Sequence, residues 1–358
     1  MIQLQNELCD MLGIKYPIIQ AGMAGGSTTP ELVAEVSEFG GLGTLGAAYM
    51  DPEAIRTAVR EIKSRTAEPF GVNVFSFSGP NELTFESGKV DALNQVHGKL
   101  GIDPVERVDY TWRNPVMEQV EVLFEEKVPI ISTAFGVLPK ELVERAKAEG
   151  VILITMVTNV EEAIEAEQAG VDIIVAQGSE AGGHRGTFDV EKYPYGSNVG
   201  TFSLIPQVSE AVNVPVVAAG GVMDGKGMVA AMVLGAKGVQ MGTRFLSTKE
   251  SGVPQDYKEA LFTGDETSTV ITKNISGRPA RAIENELVRS FDEKSRFPYP
   301  FQNMATKAIR AEAKEQGNAE YLSLYAGQGV RSVIEEESVK EVLEQVVVQA
   351  QKLTFRQS

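Results

Sequence analysis

Residues 176–186 read AQGSEAGGHRG, and the rest of the chain is organised around this stretch. The stretch follows VDIIV at 171–175, an apolar run without alternation that is typical of a strand buried on both faces. Four glycines within nine residues, more than a simple turn requires, let the backbone adopt positive φ or approach a ligand closely. Among them lies His184, one of two histidines in the chain. The carboxyl end of a buried strand is where α/β enzymes place catalytic groups.

Short buried runs of the same kind recur along the chain and predict eight strands. They are residues 17–23, 42–47, 70–75, 128–135, 151–157, 171–177, 215–221 (strand and turn) and 238–245. Strands that alternate with helices form parallel sheets through right-handed crossovers, and a count of eight favours a closed barrel. We therefore expect an α/β fold, a (β/α)8 TIM barrel. An open doubly wound sheet is the alternative, although no GxGxxG motif follows the first strand.

Helices are predicted between these strands from apolar residues at helical spacing and from capping residues. Thr29-Pro30 and Asp51-Pro52 each combine an N-cap with proline at the first helical position. The predicted helices cover about 30–39, 51–65, 114–126, 139–149, 159–168, 201–212 and 224–234. The run 338–352 has valines and leucine at helical spacing and is predicted to be the closing helix of the barrel.

Two segments break the alternation and predict a second domain. Residues 76–111 are polar without a long periodic face, and a connection of this length is usually functional. We expect His97, within it, to be exposed to solvent. Residues 251–319 contain charged helical stretches at about 256–261, 280–289 and 303–314. We expect 76–111 and 251–319 to form a small, mostly helical cap or substrate domain, and 1–75, 112–250 and 320–358 to form the barrel.

Composition limits the function classes. The chain has 358 residues, 33 Lys and Arg against 49 Asp and Glu, and a net charge of −16. This balance argues against binding to nucleic acid or to an anionic membrane. The single cysteine, Cys9, excludes an intrachain disulfide and multi-cysteine metal sites, and we expect no metal. The N-terminus does not resemble a signal peptide, and no window approaches the roughly 18 apolar residues of a membrane span, so a cytoplasmic protein is expected.

Glycines follow the last two predicted strands. Gly220-Gly221 ends the seventh and Gly242-Thr243 lies in the eighth run. In a barrel, the loops after these two strands commonly bind a phosphate through backbone N–H groups. Either pair alone could simply form a tight turn. The presence of both pairs at the two expected loops instead fits a flavin mononucleotide, whose phosphate the backbone can hold without a basic protein surface.

AQGSEAGGHRG resembles the signature of the flavin-dependent nitronate monooxygenases, formerly called 2-nitropropane dioxygenases. The related flavin-dependent enoyl-acyl-carrier-protein reductases of the second type carry a similar signature. The resemblance continues through QAGMAGGSTTPELV, GVNVF, AAGGVMDG, GVQMGTRF and YAGQG, at 325–329. It implies FMN as cofactor and a cap over the barrel mouth. Together with the strand-end positions, it predicts these cofactor-binding residues: Ala21, Gly22, Met23, Asn73, Gln177, Gly178, Gly182, Gly183, Gly220, Gly221, Gly242, Thr243, Tyr325, Gly327 and Gln328.

His184 is the predicted catalytic residue, because an imidazole of pKa about 6.5 can take a proton from a carbon acid near neutral pH. The resemblance implies that FMN-bound enzyme uses O2 to oxidise alkyl nitronates, such as propionate 3-nitronate, to a carbonyl compound and nitrite. It implies no NAD(P)H and a role in nitronate detoxification. The expected partners are a small-molecule nitronate and O2, and the oligomeric state is open, with a homodimer among the options.

Two other enzymes fit parts of the pattern. An NAD(P)H-dependent flavin enoyl-ACP reductase would share both the barrel and the His184 loop, and fold alone does not separate the two. A flavin-free barrel could instead bind the phosphate of its substrate at the glycine pairs and use His184 to isomerise it. The sequences of the first loop and of the third strand resemble those of the monooxygenases more and favour that function.

Overall fold

A computed structural model describes residues 3–80, 82–83 and 87–354 and contains two sheets. The strands are β1 (Ile18–Gln20), β2 (Gly43–Gly46), β3 (Phe70–Phe75), β4 (Ile130–Ala134), β5 (Ile152–Val157), β6 (Ile173–Gln177), β7 (Gly183–His184), β8 (Val216–Ala219), β9 (Gly238–Met241), β10 (Thr269–Thr272) and β11 (Ala280–Ile283). Eight of them form a parallel sheet in the order β1-β9-β8-β6-β5-β4-β3-β2.

The parallel sheet closes on itself next to β1. The N–H of Leu42, just before β2, donates to the carbonyl of Ile18, and the N–H of Gln20 donates to Leu42, each over 2.9 Å. Almost every residue of these strands is buried, as expected for strands covered by side chains inside and by helices outside. The predicted (β/α)8 barrel is confirmed.

Helices surround the barrel and continue into the cap. They are α1 (Glu7–Leu12), α2 (Pro30–Phe39), α3 (Pro52–Arg65), α4 (Ser87–Leu100), α5 (Val116–Glu125), α6 (Lys140–Glu149), α7 (Val160–Gln168), α8 (Thr201–Ala211), α9 (Gly225–Val233), α10 (Thr243–Leu246), α11 (Gln255–Thr263), α12 (Glu286–Arg289), α13 (Phe301–Ala305), α14 (Lys307–Glu315) and α15 (Val339–Thr354). Short 3-10 helices occupy Ala319–Tyr321 and Gln328–Ser332.

The predicted caps are present: Thr29 Oγ1 accepts from Leu32 N–H over 3.0 Å, and Asp51 Oδ1 from Ala54 N–H over 2.8 Å. Helix α15 packs against α2 and α9, which closes the helical layer. The eighth strand of the barrel, β9, ends earlier than expected, because α10 begins at Thr243. None of the helices in the described ranges combines the length and apolar content that a bilayer crossing requires.

The expectation of an exposed His97 is wrong. Helix α4 runs through the 76–111 segment and buries one side of itself, with Val90, Leu93 and Leu100 facing the cap core. His97 is only 3% exposed, and its Nδ1 lies 3.2 Å from the carbonyl of Asp103. Burial lowers its pKa. The sequence did not predict the apolar face of α4, because glycines and charged residues separate its apolar members.

Residues 280–289 are not one helix, contrary to expectation. Ala280–Ile283 forms β11, which pairs antiparallel with β10 and with β7, and only Glu286–Arg289 is helical. The short run ARAI buries both of its alanines, so pairing with its neighbours outweighs the helical preference of alanine. Because Ala280 pairs with His184, this small sheet joins the cap directly to the glycine-rich loop.

A second apolar core lies apart from that of the barrel, and the region built on it is called the cap below. It joins α4 to α11, α13 and α14, and it extends beyond residue 319 to Tyr321 and Val333. The stretch 303–314 is divided at Thr306, between α13 and α14. This second core therefore contains residues from both segments that interrupt the barrel pattern.

Candidate active site

A cavity of about 310 Å³ opens at the carboxyl ends of the barrel strands, beneath the cap. Fourteen of the sixteen residues predicted for the site line it: Ala21, Gly22, Met23, Asn73, Gln177, Gly182, Gly183, His184, Gly220, Gly221, Gly242, Thr243, Tyr325 and Gly327. They come from distant parts of the sequence and meet because parallel strands end at the same rim.

The other two predicted residues, Gly178 and Gln328, lie outside the cavity lining. A Cβ at Gly178 would stand 1.9 Å from Thr201 Oγ1, so this glycine lets the start of α8 approach the end of β6. The backbone N–H of Gln328 donates to the carbonyl of Glu180 over 2.9 Å. Both positions therefore support the His184 loop through contacts outside the cavity lining.

The amide of Gln177 fixes the shape of that loop. Its Nε2 donates to the carbonyl of His184 over 3.0 Å, and its Oε1 accepts from Gly186 N–H over 2.9 Å. The guanidinium of Arg185, fully buried, donates to the carbonyls of Gly178 and Gln177 over 2.7 and 2.8 Å. Side chains at the strand end thus satisfy backbone groups that a bare loop would leave unpaired.

His184 faces the cavity in the neutral form. Its Nε2 lies 2.7 Å from Ser276 Oγ, and its ring lies 5.2 Å from that of Tyr325 and 5.7 Å from that of Phe135, centre to centre. Burial, followed by the charges of Arg278 and Arg310, lowers its pKa to about 3. At neutral pH the imidazole is therefore uncharged, so that one ring nitrogen can accept a proton, but its lowered pKa makes it a weaker base than a free imidazole.

Arg278 supports the wall behind His184. Its guanidinium lies 3.9 Å above the ring of Phe135 and donates to the carbonyl of Thr187. Burial lowers its pKa to about 10, so it remains a cation at neutral pH. No carboxylate in the described ranges forms an ion pair with it, and stacking on the ring partly replaces that partner.

Glycine is required where the loop meets the segment that contains Tyr325. A Cβ at Gly182 would stand 2.5 Å from the backbone of Ala326 and Gly327. Gly327 N–H also donates to Thr243 Oγ1 over 2.9 Å. The two backbones therefore pack in direct contact along one side of the cavity.

The residues present fit a flavin mononucleotide. At Gly183, φ is +75° and a Cβ would meet no protein atom within 4 Å, which leaves open space over bare backbone for a flat ring. At the other end, Gly220 and Gly221 adopt φ of +110° and +72°, beside the start of α8. Glu180 already caps that helix, since Thr201 N–H donates to its Oε2 over 2.8 Å.

Several lining or supporting residues were not predicted from the sequence. They are Ser276 beside His184, the aromatic residues Phe75 and Phe135, and two cations of α14, Arg310 and Lys314. Most lie in the cap or on loops without a motif of their own. The regular spacing of Arg310 and Lys314 on one helix face was the one signal available.

Comparison with known proteins gives the family. The sequence model described as nitronate monooxygenase matches residues 5–349. The chain belongs to the nitronate monooxygenase family. A probable nitronate monooxygenase of Staphylococcus saprophyticus is 42% identical over 99% of this chain and 100% of the relative. Another, from Staphylococcus aureus, is 41% identical over 91% of this chain and 92% of its own.

Two solved structures share the fold. Nitroalkane oxidase from Streptomyces ansochromogenes superposes with a TM-score of 0.88 and 34% identity, over 97% of this chain and 98% of its own. FabK from Thermotoga maritima gives 0.78 and 32%, over 98% of each chain. Nitronate monooxygenases are FMN-dependent oxidoreductases, and FMN is the cofactor here. This excludes the flavin-free isomerase.

Proposed function

We propose that this protein uses O2 to oxidise alkyl nitronates, such as propionate 3-nitronate, to a carbonyl compound and nitrite without NAD(P)H. The observation that carries the proposal is a neutral, half-buried His184 on the cavity wall of a nitronate monooxygenase barrel. An uncharged imidazole in an aromatic pocket suits a carbon acid or its conjugate base. Nitronate detoxification in the cytoplasm is the role we propose, and a homodimer remains one option for its assembly.

FMN would lie along the strand ends, and we assign its binding to the predicted residues. Backbone groups at Gly22, Gly182 and Gly183 and the side-chain amides of Asn73 and Gln177 would hold its flat ring. The glycines after β8 and the pair Gly242-Thr243 after β9 would surround its phosphate. When bound, FMN supplies the acceptor for the electron that the nitronate gives up. Gly178 and Gln328 would act indirectly, through the loop.

His184 would have two roles, which depend on how the substrate arrives. With a neutral nitroalkane it would remove the proton next to the nitro group, since one nitrogen of the neutral ring is unprotonated and can accept that proton. With a preformed nitronate no proton need be removed, and the ring would position the anion. Ser276 would hold the ring through its 2.7 Å contact to Nε2.

The cap would exclude water from this reaction. We propose that 76–111 and 251–319 form the unit that covers the mouth of the barrel made by 1–75, 112–250 and 320–358. The contact between β7 and β11 supports a fixed position for the cap over His184. A dry pocket strengthens the electrostatic effect of every charge within it.

The alternative function is NAD(P)H-dependent reduction of an enoyl thioester. The specific observation in its favour is the similarity to FabK over nearly the whole chain. The family match and the higher TM-score of nitroalkane oxidase favour the monooxygenase.

An oxygen electrode separates the two. FMN-loaded protein is supplied with propionate 3-nitronate and no nicotinamide, and a parallel assay follows NADH oxidation with a short enoyl thioester. We expect rapid O2 uptake and nitrite release in the first assay. Thioester reduction with the nitronate ignored would overturn the proposal.

A further inference from the structure

The residue after β4 carries a bulky side chain on a backbone conformation that such side chains rarely adopt. Phe135 has a φ of +76°, in the left-handed region that favours glycine. Within the residues that the structure describes, Lys127 is the only other residue besides glycine with a positive φ, and it lies in the turn after α5. Lys127 does not line the cavity, whereas Phe135 does. Strain of this kind is typical of functional sites, where the surrounding structure maintains it.

The turn that contains Phe135 is fixed against the end of β3. The N–H of Ser76 donates to the carbonyl of Ala134 over 3.0 Å, and its Oγ donates to the carbonyl of Val137 over 2.6 Å. A Cβ at Gly136 would stand 2.6 Å from the carbonyl oxygen of Ser76, so the two backbones lie in direct contact. Because the chain is held on both sides of Phe135, its backbone cannot relax to negative φ without breaking these contacts.

The ring of Phe135 is also held in place. Its centre lies 4.2 Å from that of the Phe75 ring, which leaves no gap between the two rings. The guanidinium of Arg278 lies 3.9 Å from the ring centre, and the ring of Tyr299 lies 5.9 Å away, edge to face. Only 3% of Phe135 is exposed. The ring therefore cannot shift to make room for a ligand without losing close-packed contacts.

Phe75 and Phe135 form an aromatic wall of the cavity beside His184. Their ring centres lie 6.0 and 5.7 Å from that of the imidazole, and all three residues line the cavity. Centre-to-centre distances of this size bring ring edges into contact, so no free space separates the imidazole from the aromatic wall. A reacting carbon that approaches the imidazole of His184 therefore lies next to this wall as well.

The number of carbon chains on the reacting carbon then decides whether a nitronate fits. A nitronate carbon is planar and carries two groups besides its nitrogen: hydrogen and one chain in a primary nitronate, two chains in a secondary one. One group can extend along the cavity, which continues to Asn303 and Leu322 in the cap. The other group meets the aromatic wall, where hydrogen fits but a methyl group needs the fixed rings to move.

We propose that Phe135 is a specificity-determining residue that excludes nitronates with two carbon chains on the reacting carbon. This proposal rests on the proposed function and concerns the shape of the cavity rather than its charge. The former name of the family refers to 2-nitropropane, a branched nitroalkane, so family membership does not imply this exclusion. One misplaced methylene or methyl group in a hydrophobic pocket changes kcat/KM by about 10- to 200-fold. Wild type should therefore favour propyl 1-nitronate over its isomer propyl 2-nitronate by about tenfold or more.

The test measures kcat/KM for the two isomers by O2 uptake, with FMN in excess, in wild type, Phe135→Ala and Phe135→Gly. The isomers have the same charge and composition, so their ratio reports shape. Loss of the ring should raise kcat/KM for propyl 2-nitronate by about tenfold, with a smaller change for propyl 1-nitronate. A gain on the branched substrate is a result that a disturbed fold does not produce. Phe135→Gly adopts the positive φ without strain, which keeps the test valid if Phe135→Ala folds poorly.

Phe77→Ala is the matched control. The Phe77 ring also contacts that of Phe135, with centres 6.1 Å apart, but Phe77 does not line the cavity. Its removal loosens the same aromatic cluster without opening the aromatic wall, so the isomer ratio should keep the wild-type value. Titration of each apoprotein with FMN, followed by flavin fluorescence, measures the cofactor site independently of turnover.

The outcomes separate this proposal from the function on which it rests. If FMN-loaded wild type oxidises neither isomer nor propionate 3-nitronate, the proposed function itself fails. If wild type oxidises both isomers equally well, or if the ratio is unchanged in both Phe135 variants, only the role of Phe135 is overturned. The same conclusion follows if Phe77→Ala changes the ratio as much, or if both Phe135 variants lose activity on both isomers, since the ring would then serve the fold alone.

Discussion

His184 is kept uncharged by its surroundings rather than by anything in its own sequence. The glycine-rich loop predicted its place at a strand end, but the ring contacts come from Ser276, Tyr325 and Phe135, which are distant in the chain. Burial and the charges of Arg278 and Arg310 then lower its pKa to about 3. The position of the histidine could be predicted from the motif, whereas its ionisation depends on the folded environment.

Replacement of His184 by asparagine tests its proposed role as base. We expect His184→Asn to bind FMN normally and to lose about a hundredfold or more in kcat/KM with nitroethane, since a general base contributes that much. With ethyl nitronate the loss should stay below about tenfold, because no proton must be removed. Steady-state O2 uptake with each substrate gives both values, and equal losses would remove the assignment.

The lowered pKa of His184 also predicts how stability depends on pH. Between about pH 3 and the ordinary value of about 6.5, the unfolded chain binds a proton at this residue that the folded protein does not. Above pH 6.5 this difference in proton binding has no effect. As the pH falls below 6.5, it lowers the free energy of unfolding, by roughly 2 kcal/mol at pH 5. His184→Gln should therefore lose less stability than wild type between pH 7 and pH 5. Denaturant unfolding at the two pH values measures this, and equal losses would contradict it.

Among the elements, the strands were predicted well because their burial on both faces gives uninterrupted apolar runs. The cap elements were not. Helix α4 has a broken stripe, and β11 is a four-residue run that is a strand only because β7 and β10 pair with it. Elements that depend on pairing partners far along the chain leave little local signal.

Gly182 offers a test of the backbone contact between the His184 loop and the Tyr325 segment. In Gly182→Ala the new Cβ would stand 2.5 Å from Ala326 and Gly327, so the two segments must move apart. We expect FMN affinity to fall at least about tenfold, the equivalent of a misplaced hydrogen bond or two. Titration with FMN measures the change.

Gly98→Ala is the matched control for this change. Gly98 lies inside α4, and a Cβ there would meet nothing within 4 Å, so FMN affinity should stay at the wild-type value. The helix itself should gain up to about 1 kcal/mol. Normal FMN affinity in both variants would show that the close contact at Gly182 is not needed for the cofactor site.

At the scale of the whole molecule, the barrel and the helices around α14 are built on separate apolar cores. The sequence indicated this division through the break in strand–helix alternation, but it did not show that residues up to Val333 pack into the cap core. It also could not show which charges face the cavity, since that depends on how α14 docks.

The cap core can be weakened without touching the cavity. Phe301 is fully buried in that core and does not line the cavity. We expect Phe301→Ala to lower the free energy of unfolding by about 3–5 kcal/mol, through lost burial and a cavity. Phe202→Ala is the control, because Phe202 is 74% exposed and should change it by less than about 0.5 kcal/mol. Equal effects, measured by denaturant unfolding, would contradict the cap core described above.

In the proposed reaction a nitronate, and not a nicotinamide, delivers electrons to this protein. The most direct measurement mixes FMN-loaded protein with propionate 3-nitronate in the absence of O2 and of NAD(P)H and follows the flavin absorbance. We predict a rapid loss of the oxidised flavin spectrum, and its return with nitrite release when O2 is admitted. An unchanged spectrum with the nitronate, together with rapid bleaching by NADH or NADPH, would contradict the account.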